Sequence, residues 1–419
     1  MSKSFNIALI SIGDELCIGQ TLNTNAHWIA NELVKLGANV YSHITIRDNE
    51  QEICNSIDYL KNKSDLIICT GGLGPTHDDI TKNVLTKYFN DELTLHQETL
   101  EYLKSYFAQR QRPFLEMHNN QALQPSKSKI FQNRIGTAQG MLFYGDNFEL
   151  LSMPGVPREM KFIMEYSFLD YIKSKIVKNK NNILVYRTLR TIGITESALA
   201  ELIGDVSFLG NNTLAFLPSY SGVKLRLGTE SNNYEDANKT LDKLEEYLNL
   251  RCGKYIYSNK DEELENFLAN ILIEKKVTIS GAESCTGGLF GAKMTSLTGS
   301  SKYFLGSAVT YSNQAKQDLL GVSTETLKKF GAVSQECAKE MALGSILKYN
   351  SDYAISITGI AGPDGGTEEK PVGLVWIGIA SKDSVEAHKF IFGKDRETNR
   401  ELAVYSAINL LIKAIKEQK

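Results

Sequence analysis

Close cysteine pairs are missing from this sequence. Its six cysteines, Cys17, Cys54, Cys69, Cys252, Cys285 and Cys337, are scattered singly, without the spacings that zinc sites and redox dithiols use. They read as reduced thiols in a reducing compartment. Also missing is any apolar stretch near the ~20 residues that a bilayer crossing needs. The residues before Asn6 are polar and run straight into a short strand, with no apolar signal core. The expectation is a cytoplasmic protein without a membrane partner. Surplus positive charge is absent too: 46 Lys plus Arg stand against 49 Asp plus Glu, a net charge of -3. No global field exists to hold a polyanion, so direct nucleic-acid binding is not expected.

Several catalytic signatures are absent. There is no G-x-x-x-x-G-K-[ST] phosphate loop, no G-x-G-x-x-G after a strand, no H-E-x-x-H and no G-x-S-x-G. Kinase, dehydrogenase, zinc-protease and α/β-hydrolase readings lose their support. An S-x-x-K string at Ser126 to Lys129 lacks a companion K-T-G and lies in a Lys/Ser-rich stretch, so it reads as chance. Histidine is scarce where it would matter: from residue 261 onward only His388 occurs, which leaves little material for a Ser-His-Asp relay.

What is present is a chain of 419 residues with 42% hydrophobic and 23% charged side chains, an ordinary folded composition. At roughly 150 residues per domain it implies about three domains. The first, 1–172, alternates strands at Phe5 to Ser11, Ala38 to Ile46 and Asp65 to Cys69 with helices at Asn25 to Leu36 and Gln51 to Leu60. That rhythm predicts a doubly wound α/β fold around a parallel sheet. The polar, basic run Lys173 to Asn182 predicts an exposed connector. Residues 183–257 read as a small split α/β unit, a spacer or dimerisation module with nothing catalytic in it. Residues 261–419 return to α/β alternation, with strands at Val277 to Ala282, Phe304 to Tyr311, Asp352 to Thr358, Val372 to Ala380 and Val385 to Phe392.

Unusual residues follow the strands, where α/β sheets place their ligands. In the first domain these are Gly13-Asp14-Glu15, Arg47-Asp48 and the run from Gly71 to Asp79. In the last domain the strongest stretch is Ala282-Glu283-Ser284-Cys285-Thr286-Gly287-Gly288, between a strand and a helix. A hydroxyl there would sit beside uncovered N–H groups and a helix dipole, the setting of a nucleophile and its oxyanion site. By residue type Ser284 and Thr286 fit helix caps equally well. Cys285 is a rival nucleophile, ranked below Ser284 because no histidine is placed to activate it. Lys316, after Tyr311, could serve as a base if burial and a nearby positive charge kept it neutral; taken alone it reads as a surface charge. The loop Thr358 to Gly366 has backbone N–H groups suited to phosphate or ribose oxygens, with a bare surface loop as the alternative.

These runs together resemble the CinA family, the competence/damage-inducible protein A group of bacteria. The likeness spans essentially the whole chain. It rests on Gly13-Asp14-Glu15 with Asn23-Thr24-Asn25, on Gly71-Gly72-Leu73-Gly74-Pro75-Thr76 with Asp78-Asp79-Ile80-Thr81, and on Met153-Pro154-Gly155-Val156-Pro157. In the last domain it rests on AESCTGG, VTYSNQAK, GAVS, TGIAGPDGG and KPVG.

The resemblance implies a C-terminal α/β deamidase domain that hydrolyses nicotinamide mononucleotide to nicotinate mononucleotide and ammonia, without a cofactor. Ser284 would be the nucleophile, Lys316 the general base and Tyr311 the third member of a hydroxyl-lysine relay, with Thr286 and Gly287 holding the oxyanion. Thr358, Gly359, Gly362, Gly365 and Gly366, with Arg396 and Arg400, would bind the nucleotide. The first domain would be molybdopterin-binding-like, with an ADP-ribose pyrophosphatase activity that uses a divalent metal of unspecified identity. Its site would comprise Asp14, Asp48, Gly71, Gly72, Gly74, Asp78 and Asp79, with Asp48 and Asp79 on the metal. Family proteins associate, so a homodimer is expected. Gln139, where the family often has proline, and Cys17 depart from the pattern without removing a proposed catalytic group. Two rival readings remain: a non-enzymatic nucleotide-binding or recruiting protein linked to competence or DNA damage, and a molybdopterin-pathway enzyme.

Overall fold

The computed structural model describes residues 5–178 and 182–417. Two compact units emerge, one built from Met1–Tyr186 with Gly228–Asp242, the other from Arg187–Leu227 with Lys243–Lys419. Among the described residues no helix is long and apolar enough to cross a membrane.

The first unit is organised by β1 (Asn6–Ile12), β2 (Asn39–Ile46) and β3 (Leu66–Thr70). Every second residue of β1 enters a different core. Ile7 and Leu9 pack with Ala26, Ile29 and Leu33 of the helix Thr24–Lys35. Ala8, Ile10 and Ile12 pack with Ile53, Ile57 and Leu60 of the helix Glu50–Leu60. A strand apolar on both faces must be covered on both, and each large aliphatic side chain so buried contributes about 1.5–3 kcal/mol. Asn23 and Asn49 cap these helices by accepting backbone N–H bonds, which stops strand and helix from running together.

A small pair, β4 (Leu93–Leu95) with β5 (Leu123–Pro125), lies apart from the main sheet. Completing the main sheet are β6 (Lys129–Phe131), β7 (Gly140–Tyr144) and β8 (Glu149–Met153), in the order β2-β1-β3-β8-β7-β6. The first four are parallel, but β7 pairs antiparallel with β8 and β6 antiparallel with β7. The sheet is therefore mixed, not wholly parallel as the strand-helix rhythm suggests. Loops of eight and four residues, 132–139 and 145–148, link these edge strands, and antiparallel pairing needs no crossover helix.

The connector expected over residues 173–182 is helical for most of its length. The helix Leu169–Lys178 runs through it because Ile172 and Ile176, four residues apart, are buried in the core; residues 179–181 lie outside the described ones. Beyond it, β9 (Ile183–Thr191), β10 (Thr213–Ser219), β11 (Gly222–Ser231) and β12 (Ile256–Ser258) form a sheet in the order β10-β11-β9-β12.

The remaining strands are β13 (Ile279–Glu283), β14 (Phe304–Val309), β15 (Tyr353–Gly359), β16 (Leu374–Ser381) and β17 (Val385–Ile391), ordered β14-β13-β15-β16-β17. The first three are parallel and the last two antiparallel. One face is covered by the helices Leu264–Lys275 and Arg396–Glu417 through Leu268, Leu272, Ala403, Ala407 and Leu411. The other face takes the helix Gln335–Tyr349 on small and hydroxyl side chains. Ser280 bonds Ser345 at 2.8 Å and Ser351 at 2.7 Å, and Ser356 donates to the Ala338 carbonyl. The same helix packs as closely on the helix Asn313–Leu320: at Gly344 a Cβ would lie 2.0 Å from the Leu320 carbonyl oxygen.

Gly344→Ala tests that packing by the sign of its effect. In an open helix the change stabilises by about 1 kcal/mol. Here overpacking should dominate, costing about 1–3 kcal/mol and lowering Tm in thermal denaturation. An unchanged or raised Tm would refute the contact.

Candidate active site

Three parallel strands end at one edge and deliver the candidate residues. Ser284 follows β13, Thr310 and Tyr311 follow β14, and Thr358 and Gly359 close β15. The chain leaves β13 on one side for β14 and leaves β15 on the other for β16, so this edge is a topological switch point, the usual crevice of such sheets. Backbone bonds pin Ser284 from both sides. Its N–H donates to the Ile357 carbonyl at 2.9 Å, and the preceding carbonyl, of Glu283, accepts the Thr310 N–H at 2.7 Å.

Lys316 arrives on the helix Asn313–Leu320, whose N-cap Ser312 accepts from the Ala315 N–H. Only 1% of the lysine is exposed. Its Nζ donates to the Thr310 carbonyl at 2.7 Å and meets Ser284 Oγ at 3.0 Å. Neither partner is a carboxylate. Burial pulls the lysine below its ordinary value, because an ammonium loses water there without gaining an anion. The positive neighbour expected to assist has no part in this; burial is the dominant cause. Cys285 and Cys337 stand nearby as neutral thiols, pushed up by burial to about 12 and about 11. A thiol held so high supplies almost no thiolate at neutral pH, which removes the rival nucleophile.

Tyr311 is placed otherwise than in a relay. It is 63% exposed and its hydroxyl accepts from Arg396 Nη2 at 3.0 Å, while the lysine's two bonds go to Thr310 and Ser284. Arg396 also donates to the Gly362 carbonyl at 2.7 Å, so tyrosine, arginine and glycine loop form a joined rim. A cavity of about 280 Å3 lies inside, lined by Ser284, Tyr311, Lys316, Gly359, Gly365 and Arg396 among others. Thr358, Gly362 and Asp364 also line it; Gly366 and Arg400 do not.

Two sequence expectations change here. Gly287 was expected to offer its N–H to an oxyanion, but that N–H donates to the Ser284 carbonyl at 3.1 Å and is spent on the turn. Among the described contacts the N–H groups of Cys285 and Thr286 carry no such bond, so they are the available donors. Arg400, expected near the nucleotide, instead grips the Thr286 carbonyl through Nε at 3.2 Å and Nη2 at 2.7 Å. A guanidinium committed to backbone in this way holds the turn's shape.

Sequence reasoning missed Glu283, Thr310 and Asn399. Asn399 is buried and donates to the Ala361 and Lys394 carbonyls, fixing the glycine loop. Glu283 had a signal: a carboxylate in an otherwise apolar strand must find donors.

In the first unit the predicted residues gather after β1, β2 and β3. The Asp14 N–H donates to Asp48 Oδ2 at 3.3 Å. Burial, reinforced by the nearby carboxylates of Glu15, Asp14 and Asp78, pushes Asp48 up. Gly71 adopts φ 111°, and a Cβ there would lie 2.1 Å from the Ile12 carbonyl oxygen. Only glycine fits that conformation and approach. Gly72 packs at Thr81, whose buried hydroxyl has no partner. Asn25 Nδ2 donates to the Gly155 carbonyl while its Oδ1 is buried and unpaired. Gly74 approaches Asp79, which accepts from the N–H and hydroxyl of Thr76; Asp78 is exposed. Among the described residues no three His, Cys, Asp or Glu side chains converge as metal ligands. Asp79 takes both Thr76 bonds on Oδ2.

Three families match successive parts of the chain: the probable molybdopterin binding domain over residues 8–174, the damage-inducible protein CinA KH domain over 186–258 and the CinA C-terminal domain over 261–415. A Clostridium beijerinckii protein named as competence-damage inducible is 42% identical over 404 residues, covering 96% of this chain and 98% of that protein. The CinA-like protein of Chloroherpeton thalassium is 41% identical over 417 residues, covering 96% and 97%. Among solved structures, the competence/damage inducible protein CihA of Agrobacterium tumefaciens shares 40% identity over 37% of this chain and 98% of its own, with a TM-score of 0.36. A CinA superfamily protein of Escherichia coli shares 35% over 36% and 88%, with a TM-score of 0.35.

The burial of Cys285 can be checked by alkylation. Iodoacetamide applied to the folded protein should modify exposed Cys17 and spare Cys285 by at least about tenfold in rate, read by peptide mass spectrometry. Faster labelling at Cys285 would restore it as a nucleophile.

Proposed function

The chain belongs to the CinA family, and we propose that its C-terminal domain is an amidohydrolase that deamidates nicotinamide mononucleotide. What carries this reading is the 3.0 Å approach of Lys316 Nζ to Ser284 Oγ with no carboxylate on the lysine. A neutral amine that spends one N–H on the Thr310 carbonyl has a lone pair for the serine proton. Ser284 Oγ would attack the carboxamide carbon as its proton passes to Lys316. The N–H groups of Cys285 and Thr286 would receive the carbonyl oxygen as it becomes an anion. Lys316 would return the proton to the leaving nitrogen, releasing ammonia, and then draw one from the water that frees the acid. The glycine loop and Arg396 line the same cavity and would take the ribose phosphate. Tyr311, held by Arg396, would shape the mouth through its ring and leave the proton path to serine and lysine.

A second site is proposed in the N-terminal domain, acting on the diphosphate of ADP-ribose. Unpaired polar atoms of Thr81 and Asn25 beside Gly71, Gly72 and Gly155 favour a ligand there, since buried polar groups are seldom left without partners. The middle domain contains no Gly-x-x-Gly sequence, the loop with which KH domains clamp single-stranded backbone. That supports small nucleotides, not nucleic acid, as the partners.

Incubation with nicotinamide mononucleotide, followed by chromatography, should yield nicotinate mononucleotide and ammonia. Ser284→Ala and Lys316→Met should each lower kcat by at least about 10³-fold with the fold intact by circular dichroism. No product from the parent protein would refute the substrate. ADP-ribose, with and without added divalent cations, tests the N-terminal site in the same way; persistence of intact ADP-ribose in both would refute that activity.

The pH profile follows from the direction of the lysine's shift. The base works only when neutral, so kcat/KM should rise with pH and level off once Lys316 has lost its proton. Because burial lowers that lysine, the midpoint of the rise should lie below the ordinary 10.5. A midpoint at or above 10.5 would show a lysine of ordinary basicity and remove the proposed base.

A further inference from the structure

Glu283 is the most heavily bonded side chain near the site, and the proposed reaction gives it no task. It ends β13, immediately before Ser284, and is 0% exposed. Oε2 accepts from the Thr286 hydroxyl at 2.8 Å, the Gly288 N–H at 3.0 Å and the Phe290 N–H at 3.0 Å. Oε1 accepts from the Gly291 N–H at 2.9 Å and the Ser307 hydroxyl at 2.8 Å. All five partners donate, so the group they fit is the carboxylate, which accepts at both oxygens; a carboxylic acid or an amide would set a hydrogen against one of them. These bonds join the whole segment from residue 286 to 291 to a single point. Through Ser307 they also join it to β14, the strand that leads to Thr310 and so to Lys316.

We propose that Glu283 is a positioning residue, an anion whose five neutral donors lock the turn that aims Ser284 at Lys316 and leaves the Cys285 and Thr286 N–H groups open. The proposal rests on the reading of Ser284 as the nucleophile. Arg400 completes the lock from outside by holding the Thr286 carbonyl. With that carbonyl on arginine and the Gly287 N–H on the Ser284 carbonyl, the peptide between residues 286 and 287 has both its polar groups taken. A helix cap alone would need one or two of these donors; the hydroxyls of Thr286 and Ser307 extend the hold to the turn itself and to the neighbouring strand.

Glu283→Gln keeps the shape and removes acceptor capacity. A serine-directed fluorophosphonate reads the geometry independently of any amide: Ser284 Oγ forms a bond to phosphorus, the phosphorus–fluorine bond breaks, fluoride leaves and the hydroxyl proton goes to Lys316. In E283Q the rate of this labelling should fall by about 10²-fold, the scale of a displacement near 1 Å. With nicotinamide mononucleotide, kcat should fall similarly while KM stays within about threefold, because other elements line the rest of the cavity. Ser307→Ala removes one donor and should lower both rates by about tenfold, which serves if E283Q does not fold. Parent-like labelling in folded E283Q would overturn the proposal. So would parent-like labelling in S307A if E283Q is unfolded, or a loss of kcat no larger than the loss of folded protein. Labelling of the parent at Ser284 without turnover of the mononucleotide would strike the substrate alone and leave the positioning role standing.

Discussion

A lysine buried without an anion is the constraint on which the C-terminal site depends. Bringing an ammonium into the interior costs several kcal/mol unless an opposite charge or strong hydrogen bonding compensates. Lys316 has a backbone carbonyl and a serine hydroxyl, which serve a neutral amine well and a cation poorly. The side chain is thereby disposed to lose its proton. The helix Asn313–Leu320 cannot relieve the burial by turning, since Leu320 on it is buried as well and its carbonyl is packed against Gly344. The close seating of the helix Gln335–Tyr349 thus reaches into the chemistry: small residues at that contact help fix the element that carries the base.

Two ionisable groups near one turn are kept in opposite conditions by their partners. Glu283 meets five donors, which suit a carboxylate, whereas Lys316 meets a carbonyl and a hydroxyl, neither of which balances an ammonium's charge. Both are almost wholly enclosed, and burial pulls the lysine below its ordinary value because no anion compensates. The same strand-end logic appears in the first unit. There the glycines after β3 and the aspartates after β1 and β2 meet beside the junction of β1 and β3, and unpaired hydroxyl and amide oxygens accumulate. The difference is sign: carboxylates dominate the first site, and the second has Arg396 on its rim.

Much of the fold can be read from periodicity. Strands such as β3, apolar from Leu66 to Cys69, could only be buried, and helices such as Thr24–Lys35 repeat their apolar residues with the period of a helix. Reading failed where local and tertiary signals diverged. Residues 173–178 are polar enough to resemble a connector, yet Ile172 and Ile176 draw the helix onward. The antiparallel edge β7 and β6 follows from short loops that strand counting alone does not weigh. At the site, Ser284 was legible because a hydroxyl among glycines follows a strand. Arg400 was misplaced because its charge suggested phosphate, and nothing in its neighbourhood along the chain names the Thr286 carbonyl, 114 residues away, as its partner.

By itself the sequence determined which segments become strands and helices, that the reactive residue types lie at strand ends, and that no histidine relay could be assembled in the last domain. Those properties are local: they depend on the spacing of apolar residues and on what a short loop contains. Tertiary structure alone decided that Lys316 would be buried against Ser284 and that Tyr311 would turn to Arg396. Each of these depends on groups brought together by β-sheet order and helix packing, and the ionisation of a side chain follows from the dielectric and the donors around it, which no stretch of neighbouring residues specifies.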